Sequence, residues 1–269
     1  MNAQLIAVED YNRHRTIIGY LGIVLIVGVV LLDVLFSMAS SSIGPDFAFL
    51  KGSISAYYHS AGGVLFVAIL AIIGVALLAY QGFDDDGRFT NYAGICALGI
   101  AVFPTYPSDG VVAQHFGLPS TTAFWPDIFD APLSSVLHGC FAISFFFLLW
   151  YIMRFRFTKS GRPKNNRKYR ILSSVMLFSM GIPVVIFILE HLFKWPGVFG
   201  FIDKYNIIFW VEVVGILCFS AAWLTKGRAI VPVVGQLYTD EPSTKEELER
   251  YNQNMKPDDD RQRIPVQSD

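Results

Sequence analysis

Two Ser-x-x-x-His pairs, Ser55/His59 and Ser134/His138, stand in a 269-residue chain that is 53% hydrophobic and only 16% charged. Residues four apart on a helix share a face, so each hydroxyl would sit beside an imidazole. His191, the acids Asp33, Asp109, Glu190 and Glu212, and the hydroxyls Ser53 and Tyr57 add further groups able to bind a ligand or carry a proton. A catalytic zinc takes three protein ligands and a water whose pKa falls to about 7, and a nearby carboxylate then serves as general base. His59, His138 and Glu212 are the best metal candidates, so Zn is the one cofactor this set points to. The chemistry would be hydrolysis of a lipid. There is no Gly-x-Ser-x-Gly, His-Glu-x-x-His, Cys-x-x-Cys or P-loop to point elsewhere. Cys96, Cys140 and Cys218 all fall inside apolar runs and make no disulfide framework.

The elements that must position these groups are apolar runs. Mean hydropathy is +0.45. A bilayer core needs about 20 apolar residues in a helix. Six segments qualify or come close: Thr16–Phe36, Ser60–Tyr80, Asn91–Pro104, Ala131–Met153, Ile171–Leu192 and Ile207–Thr225. Each is read as a helix because backbone groups in lipid must be satisfied internally. The fold class expected is therefore all-α, a polytopic membrane protein with six transmembrane helices. The first run exceeds a signal-peptide core, and Glu9 and Asp10 precede it, so it is read as a retained anchor. With the first 15 residues inside, 18 of the 21 Lys and Arg fall on the inner side and three on the outer. The positive-inside rule then places both ends in the cytoplasm, at the inner membrane of a cell. Residues 1–15 read as a lead-in or a short surface helix, 16–225 as the membrane domain, and 226–269 as a polar tail. In that tail Ser243–Glu246 fits a capping box and the stretch after Pro257 reads as disordered. Arg154–Arg170 has no acid and reads as a topogenic loop able to attract anionic lipid. A net charge of −1 argues against nucleic acid as a partner and leaves membrane lipids.

On this topology every polar candidate gathers near the outer leaflet. Asp33 ends the first span. Ser53, Ser55, Tyr57 and His59 lead into the second, and Asp109 follows the third. Asp130, Ser134 and His138 share one face of the fourth. Glu190 and His191 end the fifth, and Glu212 lies about 7.5 Å into the sixth. Charges at membrane depth face a bundle interior or a wet cavity. The reading is a polar pocket open to the outer leaflet that takes a lipid headgroup or small polar ligand. Its deepest members, Glu212 and His138, are expected to lie within direct or water-bridged hydrogen-bond reach of each other, facing the bundle interior. A metal-dependent hydrolase is one alternative and a transporter or cation binder another, although no internal repeat marks a transporter. Haem on His138 and His191 would leave the inner leaflet without the histidines a di-haem protein needs.

The Ser-x-x-x-His element alone resembles that of the alkaline ceramidase and progestin-receptor-like superfamily of seven-helix membrane hydrolases. That superfamily pairs it with a late His-x-x-x-His, for which this chain has only Glu212. Taken as a whole, the chain resembles an uncharacterised family of bacterial six-helix inner-membrane proteins. The resemblance runs through SISAYYH, IGVALLAYQGFDDD, NYAGICALGIAVFPT, LHGCFAISFFFL and FWVEVVGILCFSAAWLTKG, most of Ile54–Gly227. It implies roles at Ser53, Ser55, Tyr57, His138 and Glu212 without naming an activity. His59 departs from the family pattern.

Overall fold

In the computed structural model the described residues are 3–39, 50–80, 86–105, 127–128, 131–159, 163–193 and 196–227. The fold is helical, with a single antiparallel pair of two-residue strands among the described residues, Asp127–Ile128 (β1) and Ala131–Pro132 (β2). The helices are α1 (Ala3–Ala39), α2 (Gly63–Ala79), α3 (Asp86–Val102), α4 (Leu133–Tyr151), α5 (Pro163–Phe193), α6 (Pro196–Lys204) and α7 (Ile207–Lys226). A 3-10 turn, Ser55–His59, precedes α2. α4 runs on into a π-helical stretch, Ile152–Arg156. Four stretches are long and apolar enough to cross a membrane: Asn12–Ala39, Leu133–Arg156, Asn165–Ile186 and Ile207–Lys226. α2 is apolar but shorter, and α3 opens with Asp86 and Arg88.

Six helices close into a ring, packed in the order α1, α2, α3, α4, α5, α7 and back to α1. Contacts at one end show that neighbours run antiparallel. There the start of α1 meets the ends of α2 and α7, through His14 on the Ala76 carbonyl (3.0 Å) and Thr16 on the Gly227 carbonyl (2.9 Å). Phe89 at the start of α3 stacks on Tyr151 at the end of α4, and Phe157 meets Tyr169 at the start of α5. The interior is apolar: Ile18, Leu25, Val29, Phe66, Ile73, Leu77, Leu149, Met176 and Phe219 are buried together. The outward faces are apolar too, with Val27, Val64, Val102 and Phe178 exposed. Small residues set the closest approach. A Cβ on Gly94 would lie 2.7 Å from the Gly74 carbonyl, and one on Gly74 would lie 3.0 Å from the Gly94 carbonyl. α2 and α3 therefore meet backbone to backbone, as small-residue helix pairs do in membranes.

The elements depart from the sequence reading in three places. The lead-in is helical from Ala3 and continuous with the first span. Much of Arg154–Arg170 is helical rather than loop, since the π stretch is followed by a turn and then by α5 from Pro163. The 3-10 turn and α6 were not anticipated, both lying between apolar runs where hydropathy alone is silent. The capping box at Ser243–Glu246 and the rest of the tail beyond Gly227 lie outside the described residues.

Candidate functional site

α3 stops at Val102, and Pro104 follows with no N–H to continue it. The last carbonyls of a helix have no partner within it. Side chains from two other segments bind one carbonyl of its last turn and two just beyond it. The Tyr58 hydroxyl points to the Ala101 carbonyl at 3.4 Å, His138 Nδ1–H donates to the Phe103 carbonyl at 2.7 Å, and His59 Nε2–H donates to the Thr105 carbonyl at 2.7 Å. A carbonyl only accepts, so these bonds fix the tautomer of each imidazole. His138 is buried and stacks on Phe66 with ring centroids 6.5 Å apart. Burial pushes His59 below the usual histidine range, opposed by its bond to Thr105. The two histidines thus tie down the Phe103–Thr105 stretch that follows α3.

The 3-10 turn is satisfied in the same way at its own start. Glu212 on α7 accepts the Ile54 N–H through Oε2 at 2.6 Å, and its carboxylate also takes the Ser55 N–H. Ser53 Oγ accepts the Ala56 N–H at 2.9 Å and lies 3.1 Å from Ser55 Oγ. A carboxylate over free N–H groups is a favoured arrangement, charge-assisted and aligned with the turn dipole. Tyr57 is fully buried beside Phe209, and its hydroxyl accepts the Lys51 N–H at 3.3 Å. Burial pushes the Tyr57 phenol up to about 12; the Lys51 N–H pulls it down and the charge of Asp33 pushes it further up. The segment from Lys51 to Ser60 thus closes one end of the ring, tied to α7 through Glu212 and to the end of α3 through His59.

Asp33 stands apart from this pattern. It is 1% exposed on α1, and among the described residues neither carboxylate oxygen has a hydrogen-bond partner. Among the described residues its one ionic neighbour is the Lys51 ammonium, 3.6 Å from Oδ2, a separation too long for a hydrogen bond. Ser134 Oγ, on the same face of α4 as His138, is also buried without a partner.

The expected direct pairing of Glu212 with His138 is not made. Each is satisfied by backbone, Glu212 by the turn and His138 by the end of α3. Depth alone suggested that the two should meet; the free backbone groups at the two helix ends were nearer partners. Neither Ser-x-x-x-His pair forms a serine–histidine bond, since His59 and His138 both go to carbonyls and Ser134 Oγ has no partner. Among the described residues no three His, Cys, Asp or Glu side chains converge as a metal would require. The donors named for zinc, His59, His138 and Glu212, therefore do not form a three-ligand site. Asp109 lies outside the described residues, as do the side chains of Glu190 and His191, although α5 includes their backbone.

Sequence reading missed the opposite end, where the cations are concentrated. Arg15 is buried, donates to the Tyr80 hydroxyl at 2.8 Å and lies over its ring. Tyr80 packs on Trp223, which also meets Phe157. Lys226, buried as well, sits over Phe157 and Tyr169. The signal was the interleaving of aromatic and basic residues across 154–170, of whose aromatics Phe157 and Tyr169 are buried and hold Lys226 while Phe155 stays exposed. Compared with family models, with characterised proteins and with solved structures, the chain finds no match.

Proposed function

We propose that this chain is a multi-pass protein of the cell's inner membrane that binds a polar ligand, a lipid headgroup or a small polar molecule, at its capped end. In this reading all six ring helices span, α2 and α3 as short members. The cation-rich end and both ends of the chain face the cytoplasm, and the cap of residues 51–60 faces outward. The charge distribution supports this orientation: Arg13, Arg15, Arg88, Arg154, Arg156 and Arg170 flank one end of the ring helices, against Lys51 and Lys204 at the other. Resemblance to the six-helix inner-membrane family is part of the same proposal.

The observation that carries the binding reading is Asp33. Glu212, His59 and His138 are spent on helix ends, whereas Asp33 is a buried carboxylate with its acceptor capacity unfilled. Burying such a group without hydrogen bonds is costly, so a ligand bearing donors would gain by reaching it. Membrane lipids are the partner in this reading.

Two experiments test it. In a cysteine-free background, a cysteine at Ser160 should resist an impermeant thiol reagent on intact cells while one at Ser120 reacts; the reverse pattern discards the orientation. The detergent-purified full chain should gain thermal stability from a polar lipid extract. The Asp33→Asn chain should gain little, and equal gains would discard Asp33 as the binding group.

A further inference from the structure

Resting on that reading, we infer that the ligand is a primary ammonium carried next to a phosphate, a phosphoethanolamine group, held by Asp33 and Lys51. Three observations bear on it. Asp33 is 1% exposed and accepts no hydrogen bond, although an ionised carboxylate offers about four acceptor sites. An ammonium already stands beside it, since Lys51 Nζ lies 3.6 Å from Oδ2. The site therefore accommodates this charge type, at a distance longer than a hydrogen bond. Lys51 is also the accessible member of the pair, with its side chain 14% exposed, and it ends a flexible four-carbon stem.

A ligand ammonium able to approach within hydrogen-bond distance would displace the Lys51 ammonium from Asp33. The displaced Lys51 would then find the phosphate of the same ligand. One internal ion pair is exchanged for two intermolecular ones, with no net charge brought into the site. An anionic headgroup with no amine gives Asp33 nothing but repulsion. A quaternary ammonium brings the charge but no N–H, so it leaves the carboxylate as unsatisfied as it is now.

The test uses native mass spectrometry on the full chain in detergent, delipidated and then incubated with phosphatidylethanolamine, phosphatidylcholine or phosphatidylglycerol of the same acyl chains. Phosphatidylethanolamine should be retained roughly tenfold better than phosphatidylcholine, the factor that one charge-assisted hydrogen bond confers. Asp33→Asn should abolish that preference, and Lys51→Gln should weaken both lipids alike. Equal retention of the ethanolamine and choline lipids by the unmodified chain overturns the inference, whether or not either variant folds. If that equal retention is still lost in Asp33→Asn, the broader headgroup reading stands; if Asp33→Asn changes nothing, both fall. Competition by soluble phosphoethanolamine would identify a free metabolite as the natural source, and resistance to it would identify the lipid. Both results support the shared chemistry.

Discussion

Glu212 and Ile54 lie 158 residues apart in the chain, yet the carboxylate of one holds the backbone N–H of the other at 2.6 Å. The bond runs from the last helix of the ring to the segment that joins its first two. A glutamate inside an apolar helix would cost about 2.5–3.5 kcal/mol on insertion scales if left alone. Here its charge faces the opening N–H groups of a turn, which need an acceptor just as much.

Glu212→Gln should be destabilising. Glutamine offers one carbonyl oxygen to two N–H donors, those of Ile54 and Ser55, and turns an N–H₂ toward one of them. We expect a loss of about 1–3 kcal/mol, the cost of a buried donor left unmade, and a larger loss for Glu212→Ala. Thermal unfolding in detergent would measure it. An unchanged melting temperature for Gln would mean that the carboxylate does not cap the turn.

His138→Phe separates packing from hydrogen bonding. The ring still fits against Phe66, but the Phe103 carbonyl loses its donor. The expected loss is again about 1–3 kcal/mol, and His138→Asn, which keeps an N–H, should recover part of it if the amide reaches. A His138→Phe chain as stable as the parent would show that the end of α3 finds another donor.

Acid should loosen the cap. His59 has a pKa below that of an unfolded histidine, about 6.5, because burial disfavours its charged form. Above pH 6.5 both states are neutral and the histidine term does not change. As pH falls below 6.5 the unfolded chain binds a proton that the folded chain takes up only at lower pH, so stability declines toward the folded pKa. His59→Gln keeps a donor for the Thr105 carbonyl and does not titrate. Melting curves from pH 8 to pH 5 should fall less steeply for the variant than for the parent; parallel curves would remove His59 from the account.

Gly94→Val should be severe and Gly52→Ala nearly silent. A Cβ on Gly94 would stand 2.7 Å from the Gly74 carbonyl, whereas nothing lies within 4 Å of one at Gly52. Separation of α2 from α3 would also pull the end of α3 away from His59 and Tyr58. Expression and monodispersity on gel filtration would show the contrast, and a well-behaved Gly94→Val chain would contradict this packing.

The helices were legible because hydropathy registers long apolar runs: α4 and α7 begin or end within a few residues of where composition placed them. The burial of His138 followed from the cost of polar groups at depth, and the shared face of Ser134 and His138 from their four-residue spacing. The partners did not follow. A sequence shows which side chains carry hydrogen-bonding groups, but it does not show which backbone groups a helix end leaves free. Glu212, His59 and His138 all bind backbone. The 3-10 turn in SAYYH has no hydrophobic period to reveal it, so the acceptors and donors it brings to the site were out of sight.

The closure of the ring by α7 sets an order on its assembly. α1 and α2 emerge from the ribosome first, carrying between them a turn whose Ile54 and Ser55 N–H groups await an acceptor made 158 residues after Ile54. Until that helix arrives, Gly19 and Gly22 of α1 also lack Leu224 and Ser220, the residues they pack on. A chain halted before Ile207 would keep most of its apolar helices and yet remain open along one seam, with polar backbone exposed there.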